Sequence, residues 1–482
     1  MELATSENIL NLLFAYNPWW STNIIQKEFT KDVKRCAYFE AYQTMMNSEI
    51  RRFAILCGVR RTGKTTIMYQ TIDKLLKSGV PSKNILFVSF DHPLLKLFSF
   101  DKVLEIYRTN ISCDEEIYCF FDEIQYAENW NIWLKILYDT TPKIKVMATG
   151  SASPILQNKS TESGLGRWKI INIPTLSFYE YCMLKKIEIN SLPQNISPLQ
   201  IYQLSKQEQT DIFSKLSNLQ IHFLRYLQIG GFPELALSSE GIYAQRILRE
   251  EIVDKALKKD LPSIYGIRSI RDMEKIFLYL CYCSSNIINI SNMTKELNGI
   301  NRKTVEDYIQ YLSGANLIYI SPAVSLGVKQ LLKTQDKIYI ADPAIRNAVL
   351  VLGDITNNPD ELGLIAETAV YKHIKTYFDN QNTLVGYFRG GAKGKEIDIV
   401  VKKDSNINNL LIEVKYREQS KINEDDAIIE QGNKISPGFV VTKRPNDFGL
   451  FEYNNTSIYK IPAPAFLYLL GAEEYQQTQN KI

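Results

Sequence analysis

Phe53-Ala54-Ile55-Leu56-Cys57 is an apolar run of strand length, and Gly58-Val59-Arg60-Arg61-Thr62-Gly63-Lys64-Thr65 follows it directly. The second stretch matches GxxxxGK[ST] at every fixed position, and Thr65–Leu76 behind it has helical character. A buried strand feeding a glycine-bearing turn and then a helix start is the context in which this spacing makes a phosphate cradle. Gly58 and Gly63 let the backbone curl so that successive N–H groups face inward. The helix start adds the positive end of its dipole. The spacing therefore predicts contacts to ATP or ADP from Gly58, Arg60, Arg61, Thr62, Gly63, Lys64, Thr65 and Thr66. Lys64 is expected between the β- and γ-phosphates, and the Thr65 hydroxyl is expected on Mg²⁺.

Outward from this segment, Ile85–Phe90, Ile117–Phe121 and Ile144–Ala148 are further short apolar runs separated by helical-length stretches such as Trp130–Tyr138. Such alternation predicts a parallel sheet covered on both faces. The run through Phe121 ends in Asp122-Glu123. Carboxylates at the carboxyl end of a central strand are costly unless they serve a ligand. Asp122 is the expected Mg²⁺ holder, and Glu123 is expected to orient and deprotonate an attacking water. Thr149 ends the next run and is the candidate to touch the γ-phosphate or that water; a simple turn is the competing reading.

With 482 residues the chain has room for about three domains,. Its 56 Lys+Arg against 53 Asp+Glu leave a net charge of +3, so any DNA-binding surface has to be local,. The seven cysteines form no CxxC and fall mostly in apolar segments, which reads as reduced thiols in a cytoplasmic protein,. Ile276–Thr294 has no charged residue, but the serines and asparagines of its second half would be unpaired in lipid,. A buried helix followed by a turn is expected there, and no membrane association.

Cys57–Thr66, the FFDEIQ block Phe120–Gln125 with Trp130 and Trp133, and the ATGS stretch Ala148–Ser151 together resemble prokaryotic AAA-type ATPases of the STAND group. Gly166-Arg167, Pro174–Glu180 and Gly230-Gly231-Phe232-Pro233 resemble the same group. The resemblance implies a nucleotide-gated switch with a helical lid in which Pro233 packs on the nucleotide. It also implies Arg167 as a basic residue that senses phosphate from outside the loop. An interhelical turn and a surface ion pair are the respective alternatives.

Asn292–Leu297 and Asn301–Leu312 read as a helix-turn-helix, with Arg302, Lys303 and Thr304 in the first turn of the recognition helix and thus candidates for DNA contact,. Leu317–Ile320 and Lys337–Ile340 follow as wing strands, with Lys329 and Lys333 between them, and the segment resembles a winged helix. A protein-binding or purely packing role is the alternative.

Near the C-terminus Leu362–Tyr377 is a helix carrying Glu367, and Ile397–Val401 and Leu410–Val414 are strands carrying Asp398, Glu413 and Lys415. Glu413 and Lys415 share a face at i, i+2. The pattern resembles the PD-(D/E)xK restriction-endonuclease fold, which implies Mg²⁺ on Asp398 and Glu413, Lys415 beside a metal-bound hydroxide, and Glu367 completing the set. Surface ion pairs on a recognition module are the alternative. A flank including Arg389, Lys393, Lys395, Lys402 and Lys403 suits a phosphate backbone,.

The expected architecture is an α/β multidomain chain. It comprises an N-terminal helical segment (1–50), a P-loop NTPase core with a parallel sheet (51–175), a helical lid (176–265), a winged helix (266–356) and a restriction-endonuclease-like α/β domain (357–482). The expected function is an ATP-hydrolysing switch coupled to DNA or a protein partner, with an oligomer open. A metal-dependent, ATP-gated deoxyribonuclease and a nucleotide-loaded adaptor with little turnover are the alternatives.

Overall fold

The computed structural model describes residues 6–150, 166–193, 196–238, 241–324, 335–379, 381, 383–390, 394–402, 409–453 and 456–480. The chain divides into two compact units, one of 1–173 with 263–266 and 475–482, the other of 174–262 with 267–474.

The first unit is built on a parallel sheet of β1 (Phe53–Cys57), β2 (Ile85–Ser89), β3 (Tyr118–Asp122), β4 (Lys145–Gly150) and β5 (Trp168–Asn172), in the order β2-β3-β4-β1-β5. Every residue of β1 and β3 is buried, as expected for strands covered on both faces,. β4 lies between β1 and β3, so its carboxyl end stands between the phosphate-loop strand and the acidic strand. The edge strand β2 would leave backbone groups unpaired. Asn17 covers it: its amide donates to Phe87 O at 2.9 Å and its carbonyl accepts Phe87 N at 2.6 Å. Trp19 and Trp20 donate their indole N–H groups to Ile85 O. The residues read as a separate N-terminal segment thus complete this unit, with Trp19 and Trp20 in its core.

In the second unit β6 (Asn286–Ile287), β7 (Ile318–Ser321) and β8 (Lys337–Ile340) form a small sheet in the order β6-β8-β7, with β8 antiparallel to both neighbours. Two helices, Ile290–Glu296 and Arg302–Gly314, lie between β6 and β7 in the chain. A six-stranded sheet contains β9 (Leu384–Gly390), β10 (Lys395–Lys402), β11 (Leu410–Lys415), β12 (Gly438–Thr442), β13 (Gly449–Tyr453) and β14 (Thr456–Pro462), ordered β13-β14-β12-β11-β10-β9. The helix Pro359–Phe378 precedes it. The polar stretch Asn357–Glu361 leads into this helix: Asn358 caps it by accepting Glu361 N, and Glu361 pairs with Arg346. Polar and proline residues that suit a linker suit a first helical turn equally well.

All seven cysteines are free thiols. Among the described residues no helix is long and apolar enough to cross a membrane.

Candidate functional site

The loop after β1 is shaped by two different demands on glycine. Gly63 has φ +93° as the residue before the helix Lys64–Lys77, a conformation open to glycine and costly elsewhere,. Gly58 has ordinary φ, but a Cβ there would lie 2.4 Å from Ile173 O. Ile173 N donates to Cys57 O, so the chain leaving β5 presses on the loop's first residue. Arg61 takes a positive φ of 64°. Thr62 is buried; its hydroxyl donates to Val59 O at 2.9 Å, and its carbonyl accepts Nη1 of the buried Arg35 at 2.8 Å. Arg60 reaches the Tyr126 hydroxyl at 3.2 Å. Lys64 is buried, and its Nζ donates to Gly58 O and Val59 O at 2.9 Å each. Burial pushes its ammonium pKa down, opposed by the charges of Glu123 and Asp122.

The acidic strand end stands beside this loop. Thr65 Oγ1 donates to Asp122 Oδ2 at 3.0 Å. The Thr149 hydroxyl, fully buried at the end of β4, donates to Asp122 Oδ1 and accepts Glu123 N at 2.9 Å. Burial pushes the Asp122 carboxyl up to about 6, the Thr149 and Thr65 hydroxyls pulling the other way. Glu123 sits at φ 51°, ψ 45°, left-handed for a non-glycine residue, and its carboxylate accepts the Gln125 amide. Backbone strain of this kind collects at functional sites. The structure thus brings Lys64, Thr65, Asp122, Glu123 and Thr149 together. It adds Arg35 and Gln125, which sequence reasoning missed. Gln125 carries a signal, two residues after the acid; Arg35 carries none, because nothing local links it to a loop beginning 23 residues later.

Hard oxygen donors from Thr65 and Asp122 stand side by side, and a Cβ on Gly63 would meet nothing within 4 Å. These features fit a Mg²⁺-bound nucleotide.

Arg167 is a correction. Its carbonyl accepts Phe53 N, which puts it at the amino end of β1 and β5, about 13 Å along the strand from the loop,. Its guanidinium pairs with Asp139 at 2.9 Å. It does not sense phosphate in this chain's own site; the surface ion pair is what the structure contains. Pro233 begins the short helix Pro233–Ala236 in the second unit. The glycines before it belong to a buried polar hub there. Asp342, fully buried, accepts Gly231 N at 3.0 Å, Lys372 Nζ at 3.2 Å and the Thr175 hydroxyl.

Arg302, Lys303 and Thr304 form the first turn of their helix, with Asn301 accepting Lys303 N at 2.8 Å as its cap. Arg302 and Lys303 are exposed, and Arg302 pairs with Glu306. Ser151, Lys329, Lys333, Lys393 and Lys403 lie outside the described residues.

In the second unit Asp398 and Glu413 come together with Glu367. The pairing of Ile399 with Ile412 places Asp398 and Glu413 opposite each other one step on. β10 shifts register against β9 between Ile397 and Val400, a bulge that re-aims Asp398,. Lys415 Nζ pairs with Glu413 Oε1 at 2.6 Å. Burial first, then the charge of Asp398, pushes Glu413 up to about 8 and Glu367 up to about 7. A residue absent from the sequence-based set also enters: Lys337 of β8, 2.8 Å from Glu367 and 2.7 Å from Glu396.

Residues 51–182 match the family described as "AAA domain". Residues 220–356 and 362–465 match two families described as domains of unknown function, DUF8612 and DUF4143. The chain is 26% identical over 371 residues to "Uncharacterized protein MJ1544" of Methanocaldococcus jannaschii, covering 76% of this chain and 75% of that relative. It is also 26% identical over 303 residues to a Haemophilus influenzae protein named "Uncharacterized protein", covering 61% and 68%. Among solved structures it is similar to Aeropyrum pernix ORC1 in complex with DNA, with TM-score 0.30 and 12% identity over 66% of this chain and 93% of that one. It is likewise similar to a Thermotoga maritima RuvB variant, with TM-score 0.28 and 16% identity over 62% and 90%. The AAA assignment rests on the family match over 51–182 and on the parallel-sheet loop geometry above. The core is of the AAA P-loop type.

Proposed function

We propose that the protein is an ATP-hydrolysing switch of the STAND kind, whose nucleotide state sets how its second unit engages DNA or a protein partner. The observation that carries this reading is the contact chain Thr65–Asp122–Thr149–Glu123 beside Lys64. In this reading the loop N–H groups and Lys64 bind the phosphates, and Thr65 and Asp122 hold Mg²⁺. Bound Mg²⁺ neutralises charge that develops on the transferred phosphoryl group. Glu123 orients the attacking water and takes its proton. Thr149 fixes both acids through one hydroxyl, so the base keeps its aim while the metal holder stays ionised. Arg35 sets the loop's curvature through the Thr62 carbonyl.

The DNA arm of the proposal rests on the exposed first turn at Arg302, Lys303 and Thr304, where a recognition helix meets phosphates and base edges. Pro233 is the candidate lid residue over the nucleotide. The 357–482 region serves as a recognition module of restriction-endonuclease type.

Turnover of radiolabelled ATP tests the reading. Wild type should hydrolyse ATP, and Lys64→Ala and Glu123→Gln should each lower the rate by about 100-fold or more. Equal turnover in all three proteins would refute it.

A further inference from the structure

The endonuclease resemblance implies a divalent metal on Asp398 and Glu413, and the residues present do not fit one. Lys337 Nζ lies 2.8 Å from Glu367 Oε1, 2.7 Å from Glu396 Oε1 and 3.5 Å from Asp398 Oδ1, with only 2% of the lysine side chain exposed. The carboxylate oxygens are largely spoken for. Glu367 Oε1 also accepts the Tyr339 hydroxyl at 2.8 Å. Asp398 Oδ2 accepts Val414 N at 2.8 Å, and Glu413 Oε1 is held by Lys415. Glu413 Oε2 alone among these named atoms is buried without a hydrogen-bond partner. A divalent ion needs several such oxygens at about 2.0–2.6 Å. Ammonium groups already in contact with Glu367, Glu396 and Asp398 (Lys337) and with Glu413 (Lys415) oppose it by volume and by charge. Among the described residues no three His, Cys, Asp or Glu side chains converge as a metal cage.

We infer that Lys337 is the resident cation of this carboxylate cluster, delivered by β8, and that it keeps a divalent metal out. The delivery is specific. Lys337 and Tyr339 share one face of β8 by strand alternation. Tyr339 stacks on Tyr371 of the helix Pro359–Phe378, with ring centroids 3.9 Å apart and an interplanar angle of 9°. The middle strand of the small sheet is thus pinned to the helix that carries Glu367, which fixes where the backbone of Lys337 stands against the carboxylates. Lys337 of β8, Glu396 and Asp398 of β10 and Glu367 of the helix form one ion network around a buried lysine, which stands against carboxylates that the endonuclease resemblance would give to a metal. The consequence goes beyond the switch reading and is independent of nucleotide: the domain does not cut DNA through these residues.

The test is Mn²⁺ binding to the full chain without nucleotide, followed by electron paramagnetic resonance of free Mn²⁺ and by the shift of the thermal transition. Wild type and Asp398→Asn should bind Mn²⁺ alike, because Asp398 holds no metal. Lys337→Met should gain a site at least tenfold tighter than anything in wild type, and Lys337→Met/Asp398→Asn should lose it. Lys337→Arg, which keeps the charge, should behave as wild type. Mn²⁺ binding by wild type that Asp398→Asn abolishes would overturn the inference, as would a folded Lys337→Met that gains no site. If Lys337→Met does not fold, the comparison of wild type, Lys337→Arg and Asp398→Asn decides alone.

Discussion

Single side chains in this protein are chosen for the protonation state their surroundings permit. Burial makes Asp122 costly to ionise, while the Thr65 and Thr149 hydroxyls favour its charged form, so it is well placed to meet a cation. His373 shows the opposite sign and gives a clean test. Its Nε2 accepts Phe178 N at 2.8 Å and its Nδ1 faces Ala369 O at 2.7 Å, so the ring is neutral with the proton on Nδ1. Burial first, and the charge of Lys372 second, push its pKa from 6.5 down to about 3. A depressed histidine stabilises the fold above its unfolded pKa, and that stability is lost as pH falls through the window toward the folded value. The unfolding free energy of the second unit should therefore drop from about pH 6.5 toward pH 3, by about 1.4 kcal/mol per pH unit from this one group. Denaturant melts across that range should show the slope in wild type and a shallower one in His373→Gln. Parallel slopes would contradict the assignment.

At the scale of elements, the tight joint is where β1 meets β5. Gly58→Ala would set a methyl 2.4 Å from the Ile173 carbonyl, which is backbone and cannot yield without moving β5. The variant should lose about 1–3 kcal/mol of stability and most nucleotide affinity, read by thermal melting and nucleotide titration. Behaviour like wild type would show that the joint is loose. This joint also separates what is local in the sequence from what is not. Phe53–Cys57, the loop and Asp122-Glu123 were legible because each signal is local: an apolar run, a fixed spacing, two acids at a strand end. The neighbours of β1 were not, since parallel pairing joins residues more than 90 positions apart. Without the β1–β5 register nothing in Gly166-Arg167 reveals that Arg167 falls at the far end of the strand from the loop. Lys337 escaped for the same reason. KIYI reads as a strand, but its charged face acquires meaning only when the helix Pro359–Phe378 and the bulge in β10 come to it.

At the scale of the whole molecule, most of the blocks read as lid, helix-turn-helix and C-terminal domain fall within one compact unit, while 263–266 and 475–482 belong to the other. Two buried lysines tie that unit together. Lys372 bonds Leu176 O, the Tyr226 hydroxyl and Asp342, joining the segment after the ATPase sheet to the helices beyond it. Lys337 joins the small sheet to Glu367 of the helix Pro359–Phe378 and to Glu396 of the large sheet. Buried pairs of this kind are costly to break from one side, about 3–5 kcal/mol, and that cost favours movement of the unit as one body. Nucleotide-driven switching requires the loop at 58–65 to take a triphosphate. Calorimetric titration of the full chain with ATP in excess Mg²⁺ measures that directly. Saturable heat of association at one site per chain is expected in wild type, and its loss in Lys64→Ala. Well-folded wild-type protein that releases no heat with ATP would contradict it.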